Sequence, residues 1–169
     1  MLNPKYDVTV LSEARKYLMK NGNVQLLDIL SSKGLKKLSN AKWSHKYEPL
    51  KFSVHVANPP IIERLPALLQ FLTGLKQWKY SFLSLKQGDY SVLYDKLKPS
   101  KGFAFFLDIN SLDESWGGYT SFMKKEEVFR VVPKKNSLTL INQSGLRHFH
   151  KYVDHKARNP RIFLYGVLQ

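Results

Sequence analysis

The stretch HFHKYVDHKARNPRIFLYG, residues 148–166, concentrates the side chains best suited to chemistry. His148, His150 and His155 are three of the chain's five histidines, and Arg161 follows them. Imidazoles bind transition metals and transfer protons, and a guanidinium can hold a carboxylate with two parallel hydrogen bonds. Three interpretations are open at this point: a metal site, a basic binding patch, or a strand whose imidazoles serve packing.

The chain as a whole is basic and lacks cysteine. Its 169 residues include 27 Lys and Arg against 13 Asp and Glu, a net charge of +14. Without cysteine, disulfides, thiolate metal sites and a cysteine nucleophile are excluded. The N-terminus does not resemble a signal peptide and no long apolar run is present, so we expect a cytoplasmic protein without a membrane span. The excess charge favours a polyanionic partner, RNA or a ribonucleoprotein.

Paired lysines are the candidates for a nucleic-acid contact. Such pairs would neutralise backbone phosphates without reading bases, so they predict binding that weakens steeply with salt. A solvated surface would show the same pairs. The predicted nucleic-acid residues are Lys124, Lys125, Lys134 and Lys135.

Helical patterns dominate the chain up to about residue 75. The segment that begins at Ser12 carries apolar residues on one face and ends at Gly22, which predicts a capped amphipathic helix. A second helix is predicted through Leu35 and Leu38. A third is predicted over 61–74, where apolar residues recur at helical spacing.

Short alternating segments separated by Gly and Pro fill the region from about 76 to 169. Their close spacing predicts an antiparallel sandwich or barrel with the helices packed on one outer face. No linker or repeat interrupts the chain, so we expect one domain over 1–169. The predicted strands are 51–57, 78–86, 89–95, 101–109, 118–123, 127–132, 137–142, 147–153 and 161–168.

The order of motifs from Phe71 onward resembles an enzyme family. FLTGLKQWKYSFLSLKQGDYSVLYDK is followed by KGFAFFLDIN, DESWGGYTSF, VPKKNSLTLI, HFHKYV and PRIFLYG. Over about the last hundred residues they resemble the prolyl-hydroxylase-like branch of the 2-oxoglutarate- and Fe(II)-dependent oxygenases. The resemblance implies an α+β, mainly β protein: a double-stranded β-helix, or jelly-roll barrel, with supporting N-terminal helices.

The resemblance also implies a site. The family holds iron with a His-x-Asp pair and a distant histidine, and an arginine on a late strand pairs with 2-oxoglutarate. By position, His148 matches the distant histidine and Arg161 the cosubstrate arginine, while Tyr90 belongs to the family's Gly-Asp-Tyr motif and is the second predicted cofactor-binding residue. Tyr94 stands where the first histidine is expected, and Lys96 where the aspartate is expected.

These replacements predict a lost iron site with His148 as its remnant. Tyrosine is a poor ligand for ferrous iron, and lysine places a cation beside the metal. We therefore expect no bound cofactor and a non-catalytic binding or scaffold module for RNA, a ribonucleoprotein or another protein. Two alternatives stay open: an active dioxygenase that binds Fe(II) and 2-oxoglutarate with ligands from elsewhere, such as His45 or His55, and a 2-oxoglutarate or anion sensor that keeps Arg161.

Structural interpretations compete with the functional ones. His150 lies on the same strand face as His148, and we expect it to be a hydrogen-bonded packing residue. His155 lies in a predicted turn and is expected to be solvated. Arg161 serves equally well in a salt bridge with Asp89, Asp95 or Asp108.

Overall fold

Two antiparallel sheets and N-terminal helices make up the fold. The computed structural model describes residues 2–39, 41–58, 60–92, 102–124 and 127–169. The predicted fold class, mainly β with supporting helices, is confirmed. The helices are α1 (Val8–Asn21), α2 (Ser32–Ser39) and α3 (Leu65–Thr73), and the strands are β1 (Asn23–Leu27), β2 (Ser44–Glu48), β3 (Phe52–Ala57), β4 (Trp78–Leu85), β5 (Tyr90–Ser91), β6 (Phe103–Asp108), β7 (Thr120–Lys124), β8 (Glu127–Val131), β9 (Ser137–Asn142), β10 (Arg147–His150) and β11 (Arg161–Leu168).

The larger sheet has eight strands and the smaller sheet three. The larger sheet runs β1-β9-β6-β11-β4-β3-β2, with β5 added beside β3, and the smaller runs β10-β7-β8. The ladders are antiparallel throughout. Strand β2 is therefore an edge of the larger sheet, which matters for the site below.

Two apolar clusters define the faces of the larger sheet. On its outer face, Leu164 of β11 packs in one cluster with Leu18 of α1 and Leu72 of α3. On its inner face, Phe163 of β11 packs in another cluster with Phe122 of the smaller sheet. Neighbouring residues of a strand point to opposite faces, so each residue of β11 can be assigned to the helical side or to the space between the sheets.

Helix α1 begins earlier than the sequence predicted. Asp7, not Ser12, caps it, because the Asp7 carboxylate accepts a hydrogen bond from the Val10 N–H at 2.9 Å. The end agrees with the prediction: Gly22 takes a left-handed conformation with φ 76°, and its N–H donates to the Leu18 carbonyl. None of the helices in the described part of the chain is long and apolar enough to cross a bilayer.

The first 75 residues are not purely helical. They also contain β1, β2 and β3, all of which join the larger sheet; β1 pairs with β9, and β3 pairs with β4. The β1 sequence, NVQLL, alternates between buried and less buried positions. Its apolar residues are too few to separate a short strand from a helix by periodicity alone, and the pairing with β9 decides for the strand.

The β2–β3 hairpin fixes a row of polar side chains on the outer face. His45 lies directly opposite His55, and His55 lies directly opposite Ser84 of β4. Ser84 in turn pairs with Ile162 of β11. Paired residues in an antiparallel ladder share a face, so His45, His55 and Ser84 lie on the outer face, whereas Arg161, one residue before Ile162, lies on the inner face.

Candidate metal centre

His45, His55 and Asp89 bring three potential metal ligands together at the edge of the larger sheet. One donor atom from each lies within 4.8 Å of the others, and we call these residues the metal group. The His45 side chain is 51% exposed, His55 19% and Asp89 3%. Two imidazoles and one carboxylate are the donor set of non-haem Fe(II) oxygenases, which keep further coordination positions open.

The turn after β4 delivers Asp89 to the hairpin. The Asp89 N–H donates to the Lys86 carbonyl at 2.9 Å, and Gly88 adopts φ 84°, which a residue with a Cβ would rarely take. Two further backbone hydrogen bonds attach the turn to Val153: Gly88 N–H to the Val153 carbonyl at 3.0 Å, and Val153 N–H to the Asp89 carbonyl at 2.9 Å. The position of Asp89 is thus set by backbone contacts with a distant segment.

The Asp89 carboxylate accepts three hydrogen bonds. The Ser53 hydroxyl donates to Oδ1 at 2.6 Å, and the Lys86 N–H donates to Oδ2 at 2.8 Å. His55 Nδ1 lies 2.9 Å from Oδ2. Because an ionised carboxylate only accepts, this Nδ1 carries the proton, which leaves a lone pair on Nε2 when the ring is neutral. For one metal to be held by both His55 and Asp89, this proton must leave Nδ1, because the Nδ1 lone pair is the one that faces the carboxylate.

His45 is the most accessible member of the metal group. Its Nε2 lies 2.9 Å from the Ser53 hydroxyl oxygen, and the Ser53 proton is already directed to Asp89. The His45 Nε2 is therefore the donor in a chain from His45 through Ser53 to Asp89. The ring stacks on His55 with centroids 4.8 Å apart, and Tyr47 covers it further out at 6.3 Å.

The donors fit a divalent cation, and an unsatisfied hydroxyl beside them supports this. Ser84, directly opposite His55, is 1% exposed, and its hydroxyl has no hydrogen-bond partner among the residues that the structure describes. Buried hydroxyls are normally paired, so this one is a ready partner for a water molecule. His45 Nε2 and Asp89 Oδ1 are 4.0 Å apart, close enough for a shared metal after a small approach.

Arg161 lies inside the fold, between the sheets. Its Nε donates to Asp108 Oδ1 at 2.7 Å and Nη2 to Oδ2 at 3.3 Å. Its Nη1 donates to the Thr120 hydroxyl at 2.8 Å and to the Gly118 carbonyl at 3.0 Å, and the guanidinium stacks over Phe163 at 4.1 Å. Asp108 is one of the three aspartates that the sequence offered as salt-bridge partners of Arg161. A dicarboxylate can engage the Arg161 fork only after Asp108 is displaced.

His148 and His150 lie close to Arg161. The His148 ring contacts Phe122 and Tyr165, with centroids 5.5 and 5.1 Å away, and burial lowers its pKa to about 4. His150 is buried, its Nδ1 lies 3.0 Å from the Thr120 hydroxyl, and burial, followed by the charge of Arg161, lowers its pKa well below the usual value. His150 has the hydrogen-bonded position expected of a packing residue.

The structure thus brings together part of the predicted site. His148, His150 and Arg161 share the space between the sheets, and Tyr90 pairs with Ser53 through β5 and β3. The metal group lies on the opposite face of the larger sheet. Other predicted positions lie outside the described residues, namely Tyr94, Lys96, Lys125 and the side chain of Lys124.

The surface residues singled out from the sequence are exposed. Lys134 and Lys135 lie in the turn between β8 and β9. His155 is 82% exposed, and its Nδ1 lies 3.1 Å from Asp154. These positions are compatible with solvation.

The sequence suggested His45 and His55 only as ligands from elsewhere and considered Asp89 only as a partner for Arg161. A local signal was present. The turn Glu48-Pro49-Leu50-Lys51 centres a hairpin on residue 50, which places His45 opposite His55 and Ser53 on the same face. The contribution of Asp89 was not visible, because it depends on the tertiary contact with Val153.

Comparison with known proteins identifies the fold. No family model and no curated protein sequence matches this chain. Solved structures do. A prolyl-4-hydroxylase from Pseudomonas putida superposes with a TM-score of 0.70 at 14% identity, over 94% of this chain and 98% of that one. A prolyl hydroxylase from Trichoplax adhaerens, in complex with a hypoxia-inducible-factor peptide fragment, gives 0.70 at 13%, over 95% and 89%. An oxidoreductase of the 2OG-Fe(II) oxygenase family from Burkholderia pseudomallei gives 0.68 at 11%, over 94% and 90%. The fold is that of the 2-oxoglutarate- and Fe(II)-dependent oxygenases.

The oxygenase fold confirms the predicted resemblance and corrects the predicted function. A non-catalytic RNA-binding or ribonucleoprotein module without a cofactor is the wrong expectation, because the matched proteins are Fe(II) oxygenases and the metal group supplies the matching donor types. The loss inferred from Tyr94 and Lys96 concerned one strand, whereas His45 and His55, which the sequence offered only under the active-dioxygenase alternative, lie on the hairpin.

Proposed function

We propose that this protein is an Fe(II)- and 2-oxoglutarate-dependent oxygenase that holds its metal with His45, His55 and Asp89. One observation supports this above the others: two imidazoles and a carboxylate, with donor atoms within 4.8 Å of one another, on the fold of such oxygenases. The position of the metal group on the outer face makes the site an atypical one for the proposed activity.

Each member of the metal group has a distinct role in the proposal. Asp89 supplies a negative charge that stabilises a cation. The Lys86 N–H donates to its carboxylate and holds it in place. His55 Nδ1 lies 2.9 Å from Asp89 Oδ2, and once its proton has left, this nitrogen would bind a metal shared with Asp89. His45 lies at the exposed edge and leaves the site accessible to ligands from solvent. Bound Fe(II) would supply the chemistry that activates oxygen.

The dicarboxylate cosubstrate needs a cation, and two places can provide it. Arg161 remains the predicted residue, but it pairs with Asp108 and lies on the opposite face of the larger sheet from the metal group. The second place is a cleft of about 420 Å³ beside the hairpin of the metal group. Lys42 and Lys46 line it together with Ser44 and Asn58, and no carboxylate contributes to its lining. Ser44 and Lys46 point to the face of β2 opposite His45, so a dicarboxylate held there reaches the metal group only around the edge of the sheet. Lysine ammonium groups bind carboxylates as point charges, without the two-pronged geometry of arginine.

The substrate class in this proposal is a polypeptide side chain. The motif order resembles the prolyl-hydroxylase-like branch, and the Trichoplax adhaerens prolyl hydroxylase with a similar fold is in complex with a peptide fragment.

Metal binding and turnover test the proposal directly. Purified protein is loaded with Fe(II) without oxygen, and 2-oxoglutarate consumption is then followed in air for the wild type and for His45→Ala, His55→Ala and Asp89→Asn. We expect one Fe(II) per chain and turnover in the wild type, with both lost in the variants. His155→Ala, which alters an exposed histidine outside the metal group, should behave as wild type. Equal iron binding by all variants would exclude this site, and iron-loaded protein that leaves 2-oxoglutarate intact would exclude the activity.

A further inference from the structure

We infer that Ser53 is the residue that positions the metal group, because its hydroxyl connects His45 to Asp89. This inference rests on the proposed function, since it concerns the same site. It adds a residue that supplies no ligand in the proposed set and yet determines how well that set binds a cation.

The geometry places the Ser53 hydroxyl between two of the proposed ligands. Its oxygen is 2.6 Å from Asp89 Oδ1 and 2.9 Å from His45 Nε2, while those two atoms are 4.0 Å apart. Ser53 is only 8% exposed, so water has little access to replace it. The hydroxyl is thus the link between the exposed end of the metal group and its buried carboxylate.

The direction of the hydrogen bonds shows what changes when a metal binds. The Ser53 proton goes to Asp89, so its oxygen accepts from His45 Nε2. A metal that uses the His45 Nε2 lone pair requires that proton to leave Nε2, and the half-exposed ring can carry a proton on Nδ1 instead. Ser53 then loses His45 as a donor but continues to donate to Asp89. The same hydroxyl therefore holds His45 before metal binding and steadies the carboxylate throughout.

Removal of this hydroxyl should weaken metal binding rather than abolish it. Asp89 Oδ1 would lose its Ser53 hydrogen bond while its side chain remains 3% exposed. The carboxylate would then be less well oriented towards the cation. Contacts that orient metal ligands typically change metal affinity by about 10- to 100-fold, and we expect a loss in that range.

A pair of variants with the same shape separates the hydroxyl from the volume of the side chain. Ser53→Thr keeps the hydroxyl, and Ser53→Val replaces it with a methyl group on the same branched side chain. Both suit a strand position. Ser137→Ala serves as the control, since Ser137 is a buried serine on β9 whose hydroxyl donates to the Lys134 carbonyl at 2.8 Å, away from the hairpin.

The experiment titrates each protein with Co(II), an air-stable probe, by calorimetry and by visible absorption, with thermal unfolding of the metal-free proteins in parallel. We expect Ser53→Val to raise the Co(II) dissociation constant about 10- to 100-fold, and Ser53→Thr and Ser137→Ala to stay close to wild type. The coordination spectrum should change in Ser53→Val and not in Ser137→Ala.

The outcomes distinguish this inference from the proposed function. If the wild type binds no Co(II) and no Fe(II), the proposed function fails and this inference fails with it. If the wild type binds metal and Ser53→Val binds it equally well, only the inference is overturned. Equal weakening by Thr and Val would also overturn it, because shape and not the hydroxyl would then be responsible. Should Ser53→Val not fold, Ser53→Ala replaces it in the same comparison.

Discussion

Arg161 and Asp108 form an ion pair that is closed to solvent at both ends: Nε and Oδ1 are 2.7 Å apart, and each side chain has 0% exposure. The pair joins β11 to β6 within the larger sheet, and the other Arg161 donors reach Thr120 and the Gly118 carbonyl in and before β7. Burial raises the pKa of Asp108, while the charge and hydrogen bonds of Arg161 oppose that rise. One residue thereby connects the two sheets.

Asp108→Asn should destabilise the protein markedly. It leaves the volume almost unchanged but leaves the buried Arg161 charge without its counter-ion, a change that typically lowers the free energy of unfolding by about 3–5 kcal/mol. Urea unfolding of the two proteins measures the difference. Asp154→Asn, at a partly exposed position beside His155, is the control and should change stability by less than about 1 kcal/mol. A loss of the same small size in Asp108→Asn would show that the pair contributes little.

The cation that binds the 2-oxoglutarate carboxylate can be identified from the effect of Lys46→Ala on 2-oxoglutarate binding. If the cleft holds the cosubstrate, Lys46→Ala should raise the 2-oxoglutarate concentration for half-maximal binding by roughly tenfold, the loss of one charge-assisted contact. If Arg161 holds it, Lys46→Ala should leave the half-maximal 2-oxoglutarate concentration close to the wild-type value. Calorimetric titration of the metal-loaded proteins gives both values. Lys134→Ala, an exposed lysine in the β8–β9 turn, controls for the general loss of positive charge.

Stability should fall as the pH drops from about 6.5 to 4. Burial lowers the pKa of His148 from 6.5 to about 4, so between these values the unfolded chain binds more protons than the folded one. The stabilisation is complete above pH 6.5 and is lost on acidification through this window, by roughly 3 kcal/mol. His150 adds to the loss in the same direction.

Variants can assign this pH dependence to the buried ring. In urea unfolding at pH 7.5 and 5, His148→Phe should reduce the difference between the two conditions, and His155→Phe, at an 82% exposed position, should not. An unchanged difference in His148→Phe would mean that other groups cause the acid sensitivity.

Ser84→Ala should stabilise the metal-free protein by about 1 kcal/mol, since it removes a buried hydroxyl without a hydrogen-bond partner among the described residues. Thermal unfolding measures the gain. A bound metal that carried a water beside Ser84 would give this hydroxyl a partner, so the gain should shrink when metal is present. Ser137→Ala removes a hydroxyl that is hydrogen-bonded, and it should destabilise under both conditions. Destabilisation by Ser84→Ala without metal would contradict the assignment of an unsatisfied group.

Several strands were predictable from sequence because short segments rich in apolar and aromatic residues are separated by glycine, proline and polar turn residues. Residues 137–142 and 161–168 were predicted with the bounds that the structure shows, and 78–86 differs from β4 by one residue. Strand β1 was harder to predict from the sequence, because its five residues form a strand only through pairing with β9, more than a hundred positions away. The start of α1 depended on a side-chain cap at Asp7, which propensity alone does not locate.

The candidate site could be predicted only in part from the sequence. Motif order placed Arg161 on the correct strand, but its partner was one of three aspartates until the register set Phe163 opposite Asp108. Prediction of the metal group required the face to which the hairpin side chains point and the position of the turn that carries Asp89. Residue spacing does not encode either one, because both depend on contacts between distant segments.

Two backbone hydrogen bonds link the turn that carries Asp89 to Val153, and Val153 lies on the side of His148 and His150. They connect the metal group on the outer face of the larger sheet to the inner face. Val153 follows β10, the strand of His148 and His150, by three residues. A ligand that shifts β10 from the inner side therefore pulls on the backbone of the carboxylate on the outer side. We therefore expect a ligand bound on one side of the sheet to displace the backbone on the other side, and the hydrogen-exchange protection of the Gly88 and Val153 amides measures this.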